Sequence, residues 1–379
     1  MTTRTEQWLQ VRAHLVAHRH ALAARAAAEY PEITKVASTP LLANPGWLPP
    51  EPVPLADIGL GWHPDRVFGG VDGTVGPVLP PGAPTYSAAM AAHASPSVFT
   101  NRSTYRLLAA DLAEPRLDFG TGRYFDGVDV GEASAHEYAA RDLGLADALP
   151  LRASVGDPCD PARRPVNVAI STLTLRLDRS TGAATFFLHW RDPAKVGHAG
   201  GLYQVLPVGV FQAAGDEPWN TGNDFSLWRC VVREFAEELL GESEDHGADR
   251  APVDYAAWPF AARMTAALGT GVRVSYLGMG VDPLTFATDM LTVAVFDAPL
   301  FDELFSGLVE DNDEGRVLEG LAFTAANVHR FVHDEPTQAA GAALLALAWE
   351  HRWSLLARGQ ACIRRKHRRV RCIHASLHR

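Results

Sequence analysis

The chain predicts an α+β fold built on a mixed β-sheet. Three observations carry this. From residue 166 onward, short alternating apolar runs bounded by turn residues read as strands. A segment at 224–240 places its apolar residues at helical spacing. Residues 4–29 and 336–357 read as helices near the two ends. Strands interleaved with helices make a sheet whose faces are covered by helices.

Taken in order, residues 4–29 repeat Trp8, Val11, Leu15 and Leu22 at helical spacing, and Pro31 ends the run. Residues 40–84 are rich in proline and glycine and read as an irregular, extended segment. Residues 116–119 read as a strand ended by Gly120. Residues 123–125 read as a second, running to Asp126-Gly127, and 132–143 as a helix. The Pro-, Asp- and Arg-rich stretch 144–165 reads as a linker. It separates an N-terminal α+β region of unassigned role (1–150) from a second domain (165–357). In that domain, 166–178 and 183–191 form a hairpin across a turn at 179–182. Residues 202–212 read as a strand interrupted by Pro207 and Gly209. Asp224 caps the next helix, which carries Phe225, Trp228, Val231, Val232, Phe235 and Leu239 in one stripe until Gly241 stops it. Residues 272–278 and 291–297 complete the strands.

At 379 residues, 47% hydrophobic and 21% charged, the chain has enough apolar material for a sizeable core. No apolar run approaches the ~20 residues a bilayer span needs, and residues 1–30 show no signal-peptide pattern. Cys159, Cys230, Cys362 and Cys372 are widely spaced, without Cys-x-x-Cys pairs, which argues against a zinc or redox motif. The expectation is a cytoplasmic, reduced protein without membrane contact. The net charge of −10 hides an asymmetry, because residues 358–379 carry eight basic and no acidic residues. The acidic body does not attract nucleic acid; only this basic tail, which reads as a disordered extension, has the charge for it. No phosphate-binding Gly-rich loop of the P-loop or dinucleotide type is present.

The most informative string is Arg233-Glu234-Phe235-Ala236-Glu237-Glu238-Leu239-Leu240-Gly241. Glu234, Glu237 and Glu238 stand at i, i+3 and i+4, so they share a helix face. Clustered carboxylates either lie on a solvated acidic face or hold a hard cation such as Mg²⁺, which takes carboxylate and phosphate oxygens. Elsewhere, Glu132 and His136 have i, i+4 metal-pair spacing within an acidic stretch containing Asp126, Asp129 and Glu137. Lys195, His198 and Gly200-Gly201 have the makings of a phosphate entrance, or of a simple glycine turn. The segment from Asn101 to Arg106 is a pocket wall or a helix entry.

The C-terminal half resembles the Nudix hydrolases, whose signature is Gly-x5-Glu-x7-Arg-Glu-U-x-Glu-Glu-x-Gly-U, with U aliphatic. Arg233, Glu234, Phe235, Glu237 and Glu238 match its helical core, and Leu206-Pro207-Val208-Gly209 looks like the preceding strand end. The resemblance covers residues 165–357 and implies an α/β/α sandwich with a mixed sheet. The departures lie in the loops. Gly215 stands where a glutamate is expected, Glu217 precedes Arg233 by sixteen residues rather than eight, and the closing glycine arrives one residue late at Gly241.

By this resemblance Glu237 and Glu238 bind Mg²⁺ or Mn²⁺. Glu234 is a further ligand or orients water, and Arg233 holds the glutamates in place. Glu314 and Glu319 are candidate bases, or members of an acidic surface loop with Glu310, Asp311 and Asp313. The implied activity is metal-dependent cleavage of a pyrophosphate bond in a nucleoside diphosphate derivative. The alternative is a catalytically inactive Nudix-fold module that senses a ligand.

Overall fold

The computed structural model describes residues 3–66, 69–96, 98–111, 114–191, 201–243, 246–308 and 315–357. Thr3 and Glu6 form a reciprocal capping box that starts α1 (Arg4–Ala26), whose apolar stripe of Trp8, Val11, Leu15 and Leu22 is buried. The proline-rich segment that follows holds short ordered pieces: β1 (Thr34–Lys35), β2 (Leu42–Ala43), β3 (Val53–Pro54) and β4 (Gly59–Trp62). Next come α2 (Tyr86–His93), β5 (Ser103–Asp111), β6 (Arg116–Arg123) and α3 (Tyr124–Asp142).

Two expectations are corrected in this stretch. Gly120 does not end a strand, and residues 124–125 begin a helix instead of extending one. Gly120 sits inside β6, as does Gly122, where β5 packs closely: a Cβ on Gly122 would stand 2.8 Å from the Cβ of Arg106.

The stretch read as a linker contains α4 (Pro150–Val155). The expected hairpin follows as β7 (Val168–Leu177) and β8 (Ala184–Arg191), paired antiparallel with Leu175 opposite Phe186. Pro207 splits the next strand into β9 (Tyr203–Val205) and β10 (Val208–Val210). After α5 (Pro218–Asn223), α6 (Leu227–Leu240) and α7 (Pro259–Ala267) come β11 (Val272–Val281) and β12 (Thr288–Asp297). The remainder is α8 (Ala298–Leu304), β13 (Gly315–Ala322), α9 (Ala325–His329), a π-helical turn at Arg330–Asp334, α10 (Ala339–Glu350) and α11 (Arg352–Leu356).

The fold is α+β around a large mixed sheet ordered β1-β2-β11-β12-β7-β8-β13. β3 adds to β11, β9 to β8 and β10 to β7. β7 and β12 are parallel, and their neighbours pair antiparallel. Residues from the first 54 positions therefore complete the same sheet as the C-terminal half. A second sheet, β4-β6-β5, lies beside it, tied by bridges from Thr104 to Gln212 and Arg106 to Asn167.

Side-chain alternation assigns the two faces of the large sheet. Met290, Ala294 and Phe296 of β12 join the core beneath α6, α7 and α8, whereas Leu291, Val293 and Val295 join the core beneath α10. β11 follows the same rule with a change of parity. Val272, Val274 and Tyr276 face the α6 side, a bulge at Leu277 turns that residue to the α10 side, and Met279 and Val281 resume the first face. Among the described residues, no helix is long and apolar enough to cross a membrane.

Phe235 anchors α6 in the first core. It is fully buried, with edge-to-face contact to Phe296 at 5.4 Å and a tilted contact to Phe305 at 5.6 Å. Phe235→Ala is expected to cost about 3–5 kcal/mol of folding stability by loss of burial and cavity formation. Urea unfolding monitored by circular dichroism measures this; a cost below about 1 kcal/mol would show that the helix is not held through this ring.

Candidate functional site

α6 lays Glu234 and Glu238 against the start of β10. Ser226 caps the helix, accepting from the Arg229 N–H at 3.4 Å, and Gly241 in the left-handed region (φ 68°) ends it. Asp224, expected as the cap, is instead fully buried. It accepts from the Ala214 N–H at 2.8 Å and from Tyr255 Oη at 2.7 Å. A buried carboxylate needs donors, and those partners fold the long loop before α6 back onto the helix.

Arg233 completes that knot. Its guanidinium donates to Tyr255 Oη and to the Gln212 carbonyl, both at 2.6 Å, and stands 3.6 Å from Asp224. These bonds fasten the loop to the helix. Glu238 is buried and accepts from the Val208 N–H at 2.8 Å. Glu234 lies so close over Gly209 that any Cβ there would overlap its carboxyl group. Glu237 is half-buried on the same face. The helix and the Leu206–Gly209 strand end thus meet through two glutamates. Among the described residues, no three His, Cys, Asp or Glu side chains are grouped to hold a metal ion.

A cavity of about 290 Å³ opens on the other side of β10. Its walls come from α3, from β7, β8, β9, β10 and β12, from the turn before β12 and from the residue before α10; Glu132, Arg164, Arg191, Gly209, Asp289 and Gln338 are among the lining residues. Among the described residues, the lining includes none of the three glutamates. Arg164 is anchored by three hydrogen bonds, donating to the carbonyls of Pro158 and Pro165 and, at 2.8 Å, to Thr288 Oγ1. Burial pushes its pKa down to about 10.

Asp289 is the unusual group. It is 2% exposed, and Oδ1 accepts from Ser171 Oγ at 2.7 Å, while Oδ2 is buried without a hydrogen-bond partner. Burial raises its pKa to about 7; the Ser171 bond opposes that shift and the charge of Asp282 adds to it. The side-chain oxygen Oε1 of Gln338 is likewise buried without a partner. The sequence reading did not single out Asp289, although one signal was legible: it is the lone carboxylate in the mostly apolar run from Thr288 to Phe296.

The other candidates have structural work. Glu132 pairs with Arg12 and, at 3.0 Å, with Arg19, both buried. His136 stacks on Trp8 and contacts Tyr86 Oη at 3.1 Å; burial and nearby Arg12 lower its pKa to about 3, so it stays neutral. Glu137 accepts from the Leu151 and Arg152 N–H groups at the start of α4, and Asp129 accepts from the Ser87 N–H. Asn101 accepts from the Phe125 N–H and so serves the entry of α3. Cys159 and Cys230 are buried free thiols. Lys195, His198, Gly200, Glu310, Asp311, Asp313, Glu314, Cys362, Cys372 and the tail 358–379 lie outside the described residues, as does the side chain of Glu319 on β13.

No family model matches the chain, and no curated protein matches it. The site therefore stands on its own geometry.

Two outcomes are expected. Glu132→Gln leaves Arg12 and Arg19 buried without a counter-charge and should cost about 3–5 kcal/mol, measurable by urea unfolding. Asp289 has a folded-state pKa above its unfolded value. Its stabilising contribution is therefore complete below about pH 4 and is lost as pH rises to about 7, roughly 4 kcal/mol in all. Asp289→Asn should remove that decline from the unfolding midpoint measured between pH 4 and pH 8; an unchanged slope would assign it to other groups.

Proposed function

We propose that this chain is a Nudix-like ligand-binding protein that takes a small polar molecule of the nucleotide-derivative class in the cavity beside Val208–Val210. The observation that carries this is the cavity's position. It abuts the strand end on which Glu234 and Glu238 rest, the place where the resembled family receives its substrates. Support also comes from the commitments of the helix. Arg233 is spent on the Asp224–Tyr255 knot, and Glu238 on the Val208 N–H. Fold likeness alone does not assign chemistry; the site must do so.

A second reading is metal-dependent pyrophosphate hydrolysis. It is favoured by Glu234 and Glu237, which stand one turn apart and half-buried on the same face, because Mg²⁺ is often held by one or two carboxylates with substrate phosphates. One experiment separates the two. Nucleoside diphosphate derivatives are incubated with the protein and Mg²⁺ or Mn²⁺, following both thermal stabilisation and phosphate or nucleotide release, in wild type and Glu237→Gln. Binding without turnover, equal in both proteins, is the expected result. Metal-dependent turnover lost in Glu237→Gln would replace the binding reading with the hydrolytic one. Neither stabilisation nor turnover across the panel would overturn both.

A further inference from the structure

Two features near α11 take no part in the cavity: an exposed aromatic stack and the run of positive charge that follows it. We propose that this end of the molecule binds single-stranded nucleic acid. Trp353 stacks on a base, and the basic residues of 358–379 meet the phosphates.

The stack is braced from the core outward. Trp349 of α10 packs edge-to-face on Phe323 at 5.3 Å, which ties it to the core beneath α10. Arg352 donates to the Trp349 carbonyl at 2.7 Å. Its guanidinium lies over the ring of Trp349 at 4.4 Å and over that of Trp353 at 4.9 Å. Cation–π attraction holds the three groups together. Trp353 is nonetheless 76% exposed. Single exposed apolar side chains are common and need no explanation. An indole supported by a guanidinium and a second indole is different, because its open ring is oriented to stack on another flat ring.

The adjacent charge identifies what carries such a ring. Residues 358–379 bear eight Lys or Arg and no Asp or Glu. The point where the chain passes into them is fixed. Arg273 donates to the carbonyls of Ala357 at 2.7 Å and Leu355 at 3.1 Å, and Arg179 donates to that of Leu356 at 2.9 Å. Arg358 follows Trp353 by five residues, so it stands within about 18 Å of the indole whatever path the chain takes. Around the stack both signs of charge occur. Arg352, Arg179 and Arg273 face Glu350, Glu51 and Asp297, the last paired with Arg179 at 2.7 Å. The attraction for phosphate therefore comes from the residues after 357. The whole chain carries a net charge of −10, so the part outside 358–379 is net negative and confines a polyanion to this end.

Single strands suit this arrangement better than the other polyanions. In a duplex the bases already stack on one another, whereas a single strand offers a ring face to an exposed indole. An anionic lipid surface would attract the same charge, but insertion needs an apolar helix face. α11 is five residues long, with Leu355 buried and Leu356 half-buried, so Trp353 would enter the lipid alone.

The test is fluorescence anisotropy of a labelled 20-nucleotide oligothymidylate with the full chain at pH 7.5, in 50 mM and 200 mM salt. A 20-base-pair duplex is titrated alongside, and co-sedimentation with phosphatidylserine vesicles is measured. The variants are Trp353→Ala, Trp353→Phe and a chain with Arg364, Arg365, Lys366, Arg368 and Arg369 all changed to Gln. The expected result is oligonucleotide binding in 50 mM salt, tighter than that of the duplex and at least tenfold weaker in 200 mM salt. Trp353→Ala should weaken it at least fivefold while leaving duplex binding within twofold. Trp353→Phe should stay within threefold of wild type, and the glutamine variant should lose at least tenfold.

No oligonucleotide binding in 50 mM salt overturns the inference. So does a Trp353→Ala protein that binds the oligonucleotide unchanged, or a duplex held more tightly than the single strand. Vesicle binding without oligonucleotide binding overturns it in favour of a lipid surface. The side chains replaced are exposed or outside the core, so the variants keep their fold, which urea unfolding checks. None of these outcomes bears on the cavity, whose ligands are read separately by thermal stabilisation.

Discussion

The parallel pairing of β7 with β12, from Val168 opposite Thr288 to Leu177 opposite Asp297, is the constraint on which the rest of the structure depends. Parallel neighbours cannot be joined by a tight turn. The chain between them must leave the sheet, cross a face and return, and in doing so it lays down β8, β9, β10, α5, α6, α7 and β11. Both strands are buried along almost their whole length, as parallel strands covered on two sides must be. The side chains of that pair divide between the two cores, and polar ones such as Ser171, Thr172, Asp289 and Thr292 must find partners within the pair. Ser171 bonds Asp289, and Thr172 bonds Thr292 at 2.8 Å.

Buried guanidiniums act as the fasteners between segments remote in sequence. Arg152 donates to the carbonyls of Pro283 and Leu284 and stands beside Tyr30 Oη, joining α4 to the turn before β12 and to the chain after α1. Arg12 and Arg19 fix α1 to α3 through Glu132. Arg233 fixes the long loop to α6. Arginine suits this work because its planar fork of five donors serves carbonyls and carboxylates at once. The resulting ties make the first third of the chain part of the walls of the central cavity, through α3.

Much of this was legible in the sequence where one short periodicity carried the signal. The stripe ending in Phe235 and Leu239 placed α6, the turn at 179–182 placed the β7–β8 hairpin, and the apolar run from Leu291 placed β12. The glutamate string located the helix that meets β10. What was not legible depended on distant partners. β1, β2 and β3 are two residues long, too short for any period, and exist because β11 and one another offer backbone groups. Gly120 looked like a strand end because the packing around it is invisible in its local sequence. Glu238 answers to a main-chain N–H, which no side-chain pattern encodes. Asp289 stood out as a charge in an apolar strand, but only the three-dimensional neighbourhood shows that one of its oxygens is used and the other is not.

The short strands over β11 have a further consequence for how the molecule behaves at high concentration. A long strand at the margin of a sheet offers a row of free N–H and C=O groups to any other chain. Here β2 meets β11 at Val281, and β3 meets it at Ser275 and Tyr276. Between these contacts the chain turns through a one-turn 3₁₀ helix at Pro45–Trp47, and Pro54 sits in β3, where a missing N–H limits further pairing. The proline-rich segment that looked featureless thus occupies part of the β11 margin, leaving less of its backbone open to pairing with another strand.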